Sequence, residues 1–222
     1  MQCSKTFLFC SVLLISWNTP VSAMPMVLIN EVVYDGSGSD ADDVFTELFG
    51  SPGTSLNGYF LTGTNGSTGL VYRSIDLTNT VIPFDGVLVL ATSSASDAVK
   101  AARDYIASVD WQNGPDSIQL LDATGSIIDS LQYGDAGIYN SGEGIPALDV
   151  AAGFSLSRDA FATDTNNNAL DFASTFSPTP GTGPAILNVP EPSSLLLMTF
   201  GLISFLVTIK FRALHAAKEM SG

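Results

Sequence analysis

Short hydrophobic segments separated by turn-forming residues run through most of the chain. Runs of about five to eight apolar residues recur about every ten to fifteen residues, with Gly, Asn and Asp between them. This spacing is typical of an all-β sandwich, since folds that alternate strands with helices need longer periodic segments. Eight strands are predicted, at Val27–Tyr34, Val44–Leu48, Gly58–Thr62, Leu70–Leu77, Gly86–Ala91, Ser117–Asp122, Ile127–Tyr133 and Gly153–Ser157.

Two local features refine this pattern. The apolar residues from Ser94 to Ala107 recur at helical spacing, and Asp97 follows Ser94 by three residues, which is a variant of the capping box. One amphipathic helix is therefore predicted there, inserted in the sandwich and covering one of its edges or ends. Between two of the predicted strands, Ala123-Thr124-Gly125 is typical of a hairpin turn, because glycine readily adopts the positive φ of a tight reversal.

Residues 1–23 have the composition of a signal peptide. Lys5 provides a weakly basic start, Thr6–Trp17 form an apolar segment, and Val21-Ser22-Ala23 supply the small residues that precede a signal-peptidase cut. We expect signal peptidase to cut there, so that the mature chain begins at Met24. Both cysteines of the sequence lie in the segment that is removed, and the mature domain is expected to have no disulfide.

A second apolar segment lies near the other end of the sequence. Leu195–Ile209 contains no charged residue, and with the two serines before it the segment reaches the lower limit of about 17 to 20 residues for a transmembrane helix. We predict such a helix at about 193–209. Lys210 and Arg212 follow it and are expected to stay in the cytoplasm, so that the preceding chain lies outside. Residues 177–188 are rich in Pro, Thr and Gly, which is typical of a linker.

The segment between these two apolar ends is strongly acidic. Residues 24–189 contain four basic and twenty acidic residues, a net charge of −16, whereas the whole sequence has a net charge of −14. Such a surface repels phosphate backbones, and we expect no nucleic-acid partner. Because the segment has no cysteine, its stability is expected to depend on packing and on any metal that it binds.

The same segment lacks the residues of the common catalytic sites. The single histidine of the sequence, His215, follows the predicted transmembrane helix. Ser-His-Asp triads, Cys-His dyads and histidine-ligated zinc sites are therefore unavailable to the domain. A pair of carboxylates in a cleft is the remaining acid–base arrangement, and with the acids scattered over many turns we expect no enzyme and assign no catalytic residue.

Calcium is the candidate metal. Asp164, Asn166 and Asn168, followed by Asp171, place oxygen ligands at alternate positions in the manner of a calcium loop. A second group of four aspartates lies within Asp35–Asp43. Neither segment has the glycine and the distant glutamate of an EF-hand, and Asx-turns in solvated loops are the alternative interpretation. No other cofactor is expected.

Three further groups of residues have both a structural and a functional interpretation. Glu31 and Glu47 lie in apolar strands, where a carboxylate pairs across the sheet or faces solvent unless it binds a ligand. Arg158 is expected to pair with a loop carboxylate. Four aromatic residues either pack in the core or form a platform for sugar rings: Tyr59, Tyr72, Trp111 and Tyr133.

The C-terminal residues follow an order known from a sorting domain. Pro190-Glu191-Pro192, the apolar segment and a basic stub resemble the PEP-CTERM domain of Gram-negative surface proteins over Val189–Gly222. The resemblance implies that an exosortase, a membrane-embedded transpeptidase, recognises Pro190, Glu191 and Pro192 and cuts near them. It also implies export across the inner membrane, transient anchoring by the C-terminal helix, and a final location at the cell surface or in the extracellular matrix.

Several phrases of the central segment also occur in a recognisable order. They are Leu28-Ile29-Asn30-Glu31-Val32, Phe45-Thr46-Glu47-Leu48, Leu56-Asn57-Gly58-Tyr59, Asp85-Gly86-Val87-Leu88, Ser117-Ile118-Gln119-Leu120, Ser155-Leu156-Ser157-Arg158 and Ser177-Pro178-Thr179-Pro180-Gly181. Together they resemble the lamin tail domain, an immunoglobulin-like β-sandwich that is also found in bacterial surface proteins. The resemblance implies one sandwich domain over residues 24–176, which serves as a binding or structural module and has no catalytic residues of its own.

These features favour an exosortase-sorted, non-enzymatic protein of the cell surface or extracellular matrix. Its sandwich is expected to bind or pack in the exopolysaccharide layer, and the alternative is a calcium-dependent carbohydrate-binding module. The expected partners are the exosortase, signal peptidase, the membrane through the C-terminal helix, and exopolysaccharide or other surface proteins.

Overall fold

The computed structural model describes residues 27–184 and, beyond them, only Gly201, Ile203, Phe205 and Lys210, which are helical. The predicted signal peptide, residues 1–23, lies outside the described residues. So do the Pro-Glu-Pro motif at 190–192 and, apart from the isolated positions, the transmembrane helix predicted at about 193–209. Among the residues that are described, no helix has both the length and the apolar character needed to cross a membrane.

Within residues 27–184, ten strands form two sheets. In chain order the elements are β1 Val27–Val33, α1 Asp40–Asp43, β2 Phe45–Gly50, β3 Phe60–Asn65, β4 Val71–Asp76, β5 Val87–Ala91, α2 Asp97–Ala102, β6 Tyr105–Ile106, β7 Asp116–Leu121, β8 Ile127–Tyr133, β9 Ser155–Ser157, α3 Asn168–Asp171 and β10 Ala173–Thr175. The six-stranded sheet has the order β10-β9-β1-β2-β5-β6, and the four-stranded sheet has the order β4-β3-β7-β8. Neighbouring strands are antiparallel except β5 and β6, and the predicted all-β, immunoglobulin-like sandwich is confirmed.

The main hydrophobic core lies between the two sheets. Successive residues of a strand point to opposite faces, and Ile29 of β1 and its cross-strand partner Leu48 of β2 both point inward. The rings of Tyr34 and Tyr133 stack with their centroids 4.3 Å apart. The four-stranded sheet contributes Leu61, Ile75, Ile118, Leu120 and Leu131 to the same cluster. Burying each such aliphatic side chain stabilises the fold by about 1.5–3 kcal/mol.

The outer face of the six-stranded sheet is covered as well, since β1 and β2 are buried along their whole lengths. Helix α2 covers part of this face with Val99. The rest is covered by residues 177–184, the first part of the predicted linker: a Cβ atom on Gly183 would lie 2.1 Å from Cγ2 of Val87. We call residues 177–184 the strap.

The inserted helix is shorter than the predicted Ser94–Ala107. Helix α2 ends at Ala102, and its N-cap is Ser96, whose side chain makes no capping hydrogen bond, so the predicted capping box at Ser94 is wrong. After the helix the backbone becomes extended, and β6 pairs in parallel with β5. The helix does not reach Ala107 because pairing with β5 replaces the helical hydrogen bonds there: the N–H of Ala107 donates to the carbonyl of Ala91.

Candidate functional site: a buried arginine and two buried glutamates

Arg158 follows β9, and its side chain is completely buried. Its Nη2 lies 2.9 Å from Oδ1 of Asp129 on β8, and its Nε donates to the carbonyl of Ile29 on β1. Asp129 in turn accepts the N–H of Ile29 at 2.6 Å. Strand β9 pairs with β1 only at Glu31 and Val32. The ion pair therefore takes the place of a neighbouring strand at Ile29, where the backbone would otherwise have unpaired polar groups in the interior.

Two further carboxylates lie beside the same guanidinium. Nη1 of Arg158 is 3.6 Å from Asp164 and 3.5 Å from Asp171, and it donates to the carbonyl of Thr163 at 2.7 Å. The guanidinium also lies over the ring of Phe172, with 4.5 Å from Cζ to the ring centroid. Arg158 thus pairs with a strand carboxylate as well as with the loop carboxylate that the sequence indicated.

The four residues predicted to bind calcium have different surroundings. Asp164 and Asp171 lie together beside Arg158. The carboxylate of Asp171 also accepts hydrogen bonds from the backbone and hydroxyl of Thr165. Asn166 is exposed, with a φ of 56°. The N–H of Asn166 donates to Asp164, which is the Asx-turn of the alternative interpretation, whereas the ion pairs with Arg158 were not predicted for this loop.

Asn168 is fully buried, and its amide group is occupied by backbone groups. Its Oδ1 accepts the N–H groups of Gln132 and Glu143, and its Nδ2 donates to the carbonyl of Ser130. The side chain therefore ties the loop before α3 to strand β8.

Within residues 27–184, the carboxylates of Asp129, Glu143 and Asp164 converge. One oxygen of each lies within 4.8 Å of the others, a geometry that can hold a divalent cation. Oε2 of Glu143 is buried without a hydrogen-bond partner. Burial raises the pKa of Glu143 to about 7, and the charges of Asp129 and Asp164 add to this effect. Arg158 competes with any cation for these carboxylates.

Asp129 remains ionised at neutral pH in spite of its burial. Burial raises its pKa to about 6, and the charge of Arg158 opposes that rise.

Sequence reasoning did not select Asp129 or Glu143, because both are far along the chain from Asp164. The available signal was that Asp129 is the single acidic residue within the predicted strand 127–133.

The second acidic segment, Asp35–Asp43, forms a loop around α1. Oγ of Ser37 donates to Asp43 at 2.6 Å, and the carbonyl of Asp35 accepts the N–H of Gly153. Among the side chains that are described, no group of three converging carboxylates occurs there. The described contacts hold the loop internally and also join it to Gly153 and Ser96, whose N–H groups donate to its backbone carbonyls.

Glu31 and Glu47 are cross-strand partners on the outer face of the six-stranded sheet, with 1% and 0% exposure. Glu31 accepts hydrogen bonds from the hydroxyl of Ser155 and from the backbone and hydroxyl of Thr179. Glu47 accepts from Nδ2 of Asn30 at 2.6 Å and from the N–H of Gly181 at 2.8 Å. Burial raises the pKa of Glu47 to about 7 with a smaller contribution from the charge of Glu31, while the hydrogen bonds from Asn30 and Gly181 oppose the rise.

The aromatic residues considered for a carbohydrate platform are mostly in the core. Tyr59, Trp111 and Tyr133 belong to the main hydrophobic cluster, and Tyr72 packs against it partly buried. Nε1 of Trp111 donates to the hydroxyl of Thr46 at 2.8 Å, which satisfies the indole inside the sandwich. These rings fill the space between the sheets, so they do not form an exposed platform.

Comparison with known proteins gives two family matches. The model of the Lamin Tail Domain matches residues 20–135, just over half of the chain, and the model of the PEP-CTERM protein-sorting motif matches residues 188–211. Both resemblances seen in the sequence are therefore confirmed. No curated protein matches the chain. The first match covers β1 to β8, whereas β9 and β10, which complete the six-stranded sheet, follow it.

Proposed function

The chain belongs to the lamin tail domain family, and from this premise we propose that it is a non-enzymatic protein of the cell surface or extracellular matrix. The PEP-CTERM motif implies recognition by an exosortase, export, and sorting to the cell surface. The observation that carries the proposal is that one chain combines this motif with a lamin tail sandwich. The sandwich is then the part that acts at the surface, as a binding or structural module.

The proposed route runs through a Gram-negative envelope. Signal peptidase removes residues 1–23, and a helix at about 193–209 anchors the protein transiently in the inner membrane. The exosortase then recognises Pro190, Glu191 and Pro192 and cuts near them. The support is the order of these segments in the sequence, with a basic stub after the apolar segment.

Exopolysaccharide is the proposed environment of the processed sandwich, with other surface proteins as further partners. The domain is acidic and contains no cysteine, so it stays soluble at a hydrated surface and does not depend on the redox state there. The non-enzymatic role is supported by the two matched families, which are a structural module and a sorting segment. Asp129 and Asp171 lie beside Arg158, and Glu31 and Glu47 accept hydrogen bonds from backbone and side-chain donors, which suits a structural role.

The sorting proposal is tested by locating the mature C-terminus. The full chain is expressed in a strain with an active exosortase, and mass spectrometry of the surface fraction is expected to find a terminus near Glu191 and no peptide from the basic stub. Glu191→Gln is expected to leave the uncut chain in the inner membrane. Glu219→Gln, which changes a glutamate in the stub, is the matched control and should be processed normally. An uncut wild-type chain in the cytosol would overturn the proposal.

A calcium-dependent carbohydrate-binding module is the second candidate, favoured by the convergence of Asp129, Glu143 and Asp164. Calorimetric titration of the full chain in detergent with calcium, and then with polysaccharide, tests it. Binding heat that Glu143→Gln removes and the exposed-site control Asp97→Asn retains would support the site. No heat and no thermal shift at millimolar calcium would eliminate this candidate.

A further inference from the structure

The strap fixes the point at which the chain leaves the sandwich. Thr179 and Gly181 donate N–H groups to the two buried glutamates of the six-stranded sheet. A Cβ atom on Gly183 would lie 2.1 Å from Cγ2 of Val87, so the strap is in close contact with the first residue of β5. Residues 177–184 therefore belong to the folded domain, and they add no length to the chain that follows them.

The chain enters and leaves the sandwich at the same end. Strand β2 ends at Gly50, whose N–H donates to the carbonyl of Gly86 just before β5. Gly183 of the strap lies against the first residue of β5, and Val27, the first residue of β1, pairs with Gly50. We call this end of the sandwich the exit end.

Two uncharged loops lie at the exit end. Residues 51–57 follow β2 and residues 78–84 lead to β5, and neither loop contains a charged residue. Hydrogen bonds of 2.9 Å join them, from the N–H of Gly53 to the carbonyl of Ile82 and from the N–H of Ile82 to the carbonyl of Thr54. We call residues 51–57 and 78–84 the tip loops.

The opposite end of the same strands is strongly acidic. Between the end of β1 and the start of β2, the segment Asp35–Asp43 contains four aspartates. The tip loops are therefore a neutral surface within a segment whose net charge is −16. Removing water from a neutral loop costs less free energy than removing it from a group of carboxylates, so the exit end is the end suited to contact a lipid surface.

Phe84 is the most exposed apolar side chain of the tip loops. It is 95% exposed, and Val81 of the same loop is 52% exposed. The N–H of Gly86 donates to the carbonyl of Pro83, which closes the turn that carries Phe84. Exposed apolar side chains by themselves indicate no partner. Phe84, however, lies at the end from which the chain continues towards the predicted transmembrane helix.

We propose that the tip loops dock on the surface of a zwitterionic lipid bilayer while the chain is anchored, with Phe84 inserted among the headgroups. This contact rests on the proposed function, which supplies the membrane anchor. Eight residues, 185–192, separate the strap from the helix predicted at about 193–209, and they span at most about 28 Å. The exit end is therefore held close to the membrane.

The short connection makes a weak contact sufficient. A tether turns docking into an intramolecular event, with an effective concentration in the millimolar range. Aromatic and aliphatic side chains enter the boundary between headgroups and acyl chains readily. Insertion of Phe84 beside Val81 then keeps the exit end on the membrane, although the same two side chains would not bind a free domain to it.

Two acids that border the tip loops decide the kind of lipid. Oδ1 of Asp76 accepts the N–H of Thr78 at 2.8 Å, and Oδ1 of Asp85 accepts the N–H of Val87 at 3.2 Å. Both residues are exposed, so their negative charges repel anionic headgroups. Docking is therefore expected on zwitterionic lipid, and anionic lipid is expected to weaken it at low salt.

Fluorescence quenching in proteoliposomes tests the contact. The full chain carries Cys3→Ser and Cys10→Ser, so that Val81→Cys gives it a single site for an environment-sensitive label. It is reconstituted in phosphatidylcholine vesicles that contain a lipid with a nitroxide quencher at headgroup depth. The quencher is expected to lower the fluorescence by about half, because the label lies at that depth. Phe84→Ser in the same labelled chain is expected to restore most of the fluorescence.

Phe176→Ser is the matched control and should leave the quenching unchanged. Phe176 is also a phenylalanine with high exposure, 79%, but it precedes the strap near the other end of β1, where Pro178 and Val33 line the same cavity. A label placed by Phe176→Cys should not be quenched. Addition of phosphatidylglycerol to the vesicles should reduce the quenching at Val81→Cys in low salt.

A label at Val81→Cys that is not quenched, or quenching that persists in Phe84→Ser, would exclude the lipid contact. Flotation of the same vesicles reports the anchor separately. A chain that floats without quenching contradicts only the docking, whereas a chain that does not float contradicts the anchoring helix of the proposed function and the docking with it. If Phe84→Ser slows exosortase processing without any quenching in the parent chain, the tip loops contact a protein, and the lipid surface is the wrong partner.

Discussion

The side chain of Arg158 lies where β1, β8 and the loop before α3 meet. It donates to the carbonyl of Ile29 and to Asp129, and it lies within 4 Å of Asp164 and Asp171. A buried ion pair by itself adds little stability, because desolvation offsets the attraction of the charges. Loss of one partner is costly, however, since it leaves the other charge uncompensated in the interior.

Arg158→Met is therefore expected to lower the free energy of unfolding by about 3–5 kcal/mol. The change keeps most of the volume but leaves Asp129 without its cation and Ile29 without a donor for its carbonyl. Urea unfolding of the full chain in detergent at pH 7, followed by tryptophan fluorescence, measures the difference.

The control is Lys100→Met, which removes an exposed ion pair with Asp97 of 3.9 Å. Exposed pairs contribute about 0–1 kcal/mol, so this variant should unfold close to the wild type. A loss below about 1 kcal/mol for Arg158→Met would mean that the network is not needed for stability.

At the scale of elements, the short helix α3 serves to place one amide against an edge strand. Asn168 begins the helix, and its side chain contacts the backbone of Ser130, Gln132 and Glu143. Strand β8 is the last strand of the four-stranded sheet, so its outer backbone groups have no neighbouring strand in that sheet. The amide of Asn168 covers part of the β8 edge. This cover also prevents the edge from pairing with a strand of another chain.

Asn168→Ala is expected to destabilise the sandwich by about 3 kcal/mol, because it leaves two buried backbone groups and one partly buried backbone group without partners. Thermal unfolding measured with calcium and with a chelator should give the same loss, since the role of the side chain is structural. The matched control is Asn166→Gly, an exposed position with a φ of 56° that glycine adopts without strain. A loss that appears only in the presence of calcium would instead support Asn168 as a ligand.

The elements that the sequence predicted well are those with local signals. All eight predicted strands are present, and the hairpin of β7 and β8 has its turn at the predicted Ala123-Thr124-Gly125. Four short elements, α1, β6, α3 and β10, were not predicted, because two to four residues carry too little periodicity. Strand β6 also depends on its pairing with β5, which the local pattern cannot indicate.

The candidate site was harder to predict than the fold. The spacing of Asp164, Asn166, Asn168 and Asp171 indicated oxygen ligands, but spacing does not fix the direction of each side chain. The side chain of Asn168 is buried against the edge of β8, while Asn166 is exposed. The carboxylates that do converge come from β8 and two separate loops, which only the tertiary fold brings together.

At the scale of the whole molecule, an excess of negative charge opposes folding. The chain has a net charge of −14, and of the four basic residues in the sandwich Arg158 is buried. Few surface cations remain to offset the acids. Self-repulsion of this kind destabilises the compact state and is screened by salt.

The midpoint of thermal unfolding is therefore expected to rise by several degrees between 0.01 M and 0.5 M NaCl at pH 8, as measured by scanning fluorimetry of the full chain in detergent. The rise should be smaller at pH 5, where Glu47 and Glu143 are protonated because their pKa values are about 7. CaCl₂ at equal ionic strength separates screening from binding. An equal rise means that calcium only screens, whereas an additional rise that Glu143→Gln removes places the cation among Asp129, Glu143 and Asp164. A midpoint that does not change with NaCl would show that the acidic surface is not what limits stability.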